Sequence, residues 1–122
     1  MPTYSTTSPV GIYPSDQAKV WTASDTISQG SKSQAVAIGT SSGVRPSTLR
    51  YQYDATTSLG TFELDLQESD TDTDLDYQTV SSVSAAVNNS CFGQFVAPTG
   101  RFYRLLMKTL TGTVVGVGTI SV

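Results

Sequence analysis

At 122 residues the chain has room for one domain and one modest hydrophobic core. It contains no His and a single Cys, which excludes a Ser-His-acid triad, an imidazole-activated thiol and an intramolecular disulfide framework. Ten acids against seven bases leave a net charge of −3, without the basic stripe that nucleic acid requires, and no apolar run approaches a membrane span or a signal peptide.

Residues 1–17 carry Pro2, Pro9, Pro14 and Gly11, which disfavour regular elements. They read as an extended N-terminal arm, with Tyr4, Ile12 and Tyr13 as anchors that order against a neighbour. Residues 18–122 read as a single β-domain, because 35 of the chain's 122 residues are Ser or Thr, suited to turns and strands, and no stretch keeps a helical period. Short strands are predicted at Lys19–Thr22 and Gln34–Ile38. Thr48–Tyr53 alternates, with Leu49, Tyr51 and Tyr53 on one face and Thr48, Arg50 and Gln52 on the other. Thr61–Gln67 is the best strand: Phe62, Leu64 and Leu66 point inward, while Thr61, Glu63, Asp65 and Gln67 face water. Tyr77–Ser84 and Cys91–Val96 are weaker candidates, separated by a turn at Asn88, Asn89 and Ser90.

Arg101–Lys108 is apolar on both faces in part and should be a central strand. A turn at Thr111–Thr113 then leads into Val114–Val122, and the two runs read as a closing β-hairpin. Gly116 and Gly118 share a face of the last strand, where they admit a bulky neighbour. About seven or eight short strands with frequent turns predict an antiparallel β-sandwich, jelly-roll-like in arrangement.

The charges are segregated. Every charge from Tyr53 to Gly100 is acidic, and Arg101, Arg104 and Lys108 follow. Either these are solvated faces of different sign, or an acidic rim at Asp72 and Asp74 on one copy meets Arg101 and Arg104 on the next. Asp70, Asp72, Asp74 and Asp76 alternate and are the candidate Ca²⁺ ligands. The EF-hand pattern fails, however, since Leu75 takes the glycine position and Ser81 that of the bidentate Glu. No metal or other cofactor is expected. Cys91 reads as a buried, unreactive thiol. Paired carboxylates leave glycosidase chemistry formally open, yet a chain of this size lacks material for a deep cleft, and no enzyme is expected. Trp21, Tyr13, Tyr51 and Tyr53 are either core and interface residues or a sugar-binding platform.

From about residue 59 onward the order of features resembles a β-sandwich module of tailed-phage virion proteins. Phe62–Gln67, a Ser69-Asp70 turn, Tyr77, the aromatic-Arg run Arg101–Arg104, Thr111-Gly112 and the Gly/Val-rich Val114–Val122 carry the likeness. Repeated Asp-Thr pairs stand where that pattern has a Gly after the turn aspartate. The resemblance implies a capsid decoration (cement) protein that binds the major capsid protein across capsomer seams. It also implies a homo-oligomer, a trimer in first place, made in the host cytoplasm and placed on the virion surface. In that reading Tyr4, Ile12 and Tyr13 touch the capsid, and Arg101, Arg104, Asp72 and Asp74 join subunits. The alternative within the resemblance is a carbohydrate- or receptor-binding module of a tail or fibre.

Overall fold

A computed structural model describes residues 9–13, 16–39, 45–56, 61–84 and 90–122. Among them are ten strands: β1 Val10–Ile12, β2 Gln17–Trp21, β3 Thr26–Ile27, β4 Val36–Ile38, β5 Thr48–Ala55, β6 Phe62–Ser69, β7 Gln78–Ser84, β8 Ser90–Val96, β9 Phe102–Leu110 and β10 Val114–Ser121. They form two packed sheets, a β-sandwich. The first runs β1-β4-β9-β6-β7 and the second β2-β10-β5-β8, with β3 also against β10. All pairings are antiparallel except β1 with β4. Residues 1–17 are therefore not free of regular structure: Val10–Ile12 is a sheet strand, and Gln17 already belongs to the next one.

The core follows from period-two alternation. Leu49, Tyr51 and Tyr53 of β5 face Phe62, Leu64 and Leu66 of β6 and Tyr103, Leu105 and Met107 of β9, all buried. Fully burying a side chain of this size contributes about 1.5–3 kcal/mol. Gly93 makes room for the Tyr51 ring, since a Cβ there would lie 2.5 Å from Cζ. The Tyr51 hydroxyl then crosses the core to Ser81 Oγ at 2.7 Å, tying β5 to β7 of the other sheet.

The closing hairpin does not form. β9 lies between β4 and β6 in the first sheet, and β10 lies in the second. The chain turns at Gly112, whose φ of 78° suits glycine, and crosses from one sheet to the other. Both flanks of β9 are occupied: β6 bonds one side, and β4 with the Gly30–Ser33 segment bonds the other. That segment supplies Gly30 N–H to Met107 O at 2.7 Å and Ser33 N–H to Leu105 O at 2.9 Å. β10 instead faces β9 across the core, where a Cβ on Gly118 would lie 3.0 Å from Trp21 and 3.2 Å from Leu105. Gly118 thus admits bulky neighbours as expected. Gly116 meets backbone instead, since a Cβ there would lie 2.2 Å from Asp54 O.

Candidate functional site

Two outward faces carry the chemistry. On the first sheet, β6 and β9 run side by side with Gln67 opposite Arg104, and β7 places Ser82 opposite Asp65 and Thr79 opposite Gln67. Asp65, Gln67 and Arg104 point away from the core yet are buried, which corrects the expectation that Asp65 and Gln67 face water, while Thr79 and Ser82 on the edge strand stay exposed. A central strand is covered laterally by its neighbours, and here the β6–β7 connection also folds back over the face. Asp65 accepts hydrogen bonds from Thr79 Oγ1 at 3.0 Å and Ser82 Oγ at 2.8 Å, so its oxygens are satisfied by hydroxyls.

Arg104, only 3% exposed, organises the covering loop. Its guanidinium lies 3.9 Å from the Tyr77 ring centroid, its Nε donates to Gln67 Oε1 at 2.9 Å, and its Nη1 pairs with Asp74 Oδ1 at 2.8 Å. Lys32 approaches the same carboxylate at 3.0 Å. Burial alone would raise the Asp74 pKa, but the hydrogen bonds and charges of Lys32 and Arg104 outweigh it and hold the carboxyl below its ordinary value. Asp72 accepts from the Tyr77 hydroxyl at 2.8 Å, and Asp76 accepts from Thr71 Oγ1 at 2.7 Å.

The four candidate calcium ligands are thus directed to different partners or to solvent. Among the described residues no three His, Cys, Asp or Glu side chains come together as a metal-holding group. An open polar depression of about 190 Å³, lined by Glu68, Ser69, Asp70, Asp76 and Gln78, lies beside the loop. At the tip of the clamped loop a short 3-10 turn, Asp74–Asp76, presents Leu75 at 91% exposure.

The outer face of the second sheet is different. On β8, Cys91 and Phe95 turn inward while Phe92, Gln94 and Val96 turn outward, with Phe92 54% and Val96 71% exposed. Arg50 of β5 lies on the same face, its guanidinium 4.3 Å from the Phe92 ring centroid. Gln52 donates to both oxygens of Asp54, which also bonds Ser90. Lys19 of β2 is exposed two strands away, opposite Thr119, which in turn pairs with Gln52.

The residues expected to touch a capsid separate. Tyr4 lies outside the described residues. Ile12 is 2% exposed and belongs to the core, so it is not available to a partner. Tyr13 is 56% exposed and rests on Gly39, where the ring leaves no space for a Cβ. Of the proposed subunit contacts, Arg104 and Asp74 pair within the chain, whereas Arg101 and Asp72 stay exposed. Trp21, Tyr51 and Tyr53 are core residues, so they form no sugar platform with Tyr13. Trp21 and Tyr53 meet edge to face at 5.7 Å. Cys91 is buried, and desolvation pushes its thiol up to about 11.

None of Phe92, Val96 and Leu75 is read from the sequence as a contact residue. The alternation in Cys91–Val96 carried the signal for the first two, and a lone Leu in a run of aspartates carried that for the third. No protein-family model matches the chain, and no curated protein matches it.

Proposed function

We propose that this chain is a non-enzymatic virion structural protein that decorates a phage capsid, bridging capsomer seams and stabilising the shell. The observation that carries the reading is the β1 edge. β1 is bonded in parallel to β4, and Gly39 N–H closes onto Ile12 O at 2.7 Å. The exposed Tyr13 follows β1 directly and is held at this sheet edge with its ring against Gly39. An exposed aromatic on a rigid support suits a contact hot spot, because little side-chain freedom is left to lose. A protein that binds only the assembled shell shifts the assembly equilibrium toward it. On this reading the partner is the major capsid protein, and the protein is made in the host cytoplasm and resides on the capsid surface.

The test is co-sedimentation with empty tailed-phage capsids, with a glycan array run in parallel. Binding to assembled shells is expected, weakened about tenfold or more by Tyr13→Ser. Since Ile12 belongs to the core, the arm truncation stops before β1 and removes residues 1–8. Occupancy unchanged by both Tyr13→Ser and the truncation would reject this contact. Glycan binding without capsids would favour the tail or fibre module.

A further inference from the structure

The loop tip at Leu75 and the face around Phe92 are complementary in two ways. Leu75 is an apolar side chain flanked by carboxylates, and the loop beneath it is held by Arg104, Tyr77 and Lys32, so it is presented at little conformational cost. Asp70, Asp72 and Asp76 remain exposed around it. The face on the second sheet offers the reverse pattern: Phe92 and Val96 are exposed, Arg50 lies against the Phe92 ring, Lys19 stands farther along the same face on β2, and the Asp54 carboxylate accepts from Gln52 and Ser90. The loop covers the outward side of the first sheet and the apolar pair lies on the outward side of the second, so one copy cannot bring them together. Two copies can.

We propose that copies of this chain associate head to tail, the Leu75 tip of one copy seating on the Phe92 and Val96 face of the next. The aspartates beside Leu75 then meet Arg50 and Lys19, which fixes orientation and registers the contact. A contact between two different patches is heterologous, so it closes into a ring when the rotation per copy allows and extends otherwise. The inference goes beyond the capsid reading and is measured on the purified chain alone, so either can fail without the other.

The experiment is sedimentation velocity on the full chain at concentrations up to about 1 mM, the weak end of specific association. The wild-type chain is expected to self-associate, several-fold less at high salt, where charge attraction is screened. Leu75→Ser and Phe92→Ser alter exposed side chains and should keep the wild-type melting curve, yet each weakens association about tenfold or more. Mixed in equal amounts, the two variants should form capped dimers, because one supplies an intact face and the other an intact tip. A chain that stays monomeric throughout overturns the proposal. So does association indifferent to either substitution, or a mixture of the two variants that remains monomeric.

Discussion

Arg104→Lys keeps a cation under the β6–β7 loop and removes the planar fork that holds the loop together. The guanidinium contacts the face of Tyr77 at 3.9 Å, Gln67 Oε1 at 2.9 Å and Asp74 Oδ1 at 2.8 Å, and its Nη2 donates a longer bond to the Asp74 carbonyl at 3.3 Å. Stacking over the ring contributes about 1 kcal/mol. The charged hydrogen bond to Gln67 in a buried setting contributes about 1.5 kcal/mol, the low end for a charged donor. The ion pair is discounted to about 0.5 kcal/mol, because the Asp74 side chain is 35% exposed and Lys32 also serves it. A lysine ammonium is a point charge that reaches one of these partners at a time, so the expected loss is about 2 kcal/mol.

Urea unfolding, followed by the fluorescence of the single and buried Trp21, reads this directly. At a slope of about 1.5 kcal/mol/M the midpoint falls by roughly 1.3 M. Limited proteolysis within residues 70–77 should accelerate in parallel, since the loop loses its clamp. A lysine variant whose midpoint stays within about 0.3 M of wild type would refute the reasoning, because the charge alone would then suffice.

Two further outcomes follow from the side-chain chemistry. Tyr53 Oη is buried with no hydrogen-bond partner among the described residues, and desolvation pushes its phenol up to about 12. Tyr53→Phe should therefore be neutral or stabilising by up to about 1 kcal/mol, whereas Tyr51→Phe and Tyr103→Phe, which lose Ser81 and Glu68, should cost about 1–2 kcal/mol in the same urea assay. A lowered carboxyl pKa in the folded state gives stability that is present above the unfolded value of 3.8 and lost as pH falls through the lower folded value. Asp74→Asn should therefore lower stability at neutral pH and flatten the acid limb below about pH 4, and acid limbs that superpose in thermal melts would disprove that role.

Much of the core was legible because local alternation assigns each side chain to a face. Leu49, Tyr51 and Tyr53, and likewise Phe62, Leu64 and Leu66, are buried as their period predicts. The same rule put Asp65 and Gln67 on the face away from the core, yet they do not face water as expected. It does not say whether an outward face meets water, and here the folded-back β6–β7 loop covers it. Burial turned Arg104 and Asp74 from a proposed seam between copies into a bond within one chain. The exposed cations that remain for a partner on the second sheet, Arg50 and Lys19, come from strands far apart in sequence that only the sheet order brings to one face.

By itself, then, the amino-acid order determined the all-β class, the strand faces and most of the core, since each depends on residues two positions apart. The tertiary structure alone decided which strands pair. β9 and β10 are joined by a short turn, and local chemistry favours a hairpin between them. Yet β4, the Gly30–Ser33 segment and β6 take the backbone groups along both flanks of β9. Backbone donors and acceptors each form their main bonds once, so competition among distant segments for those flanks set the partners. β10 crossed to the opposite sheet, where Gly118 lets Trp21 and Leu105 close the core.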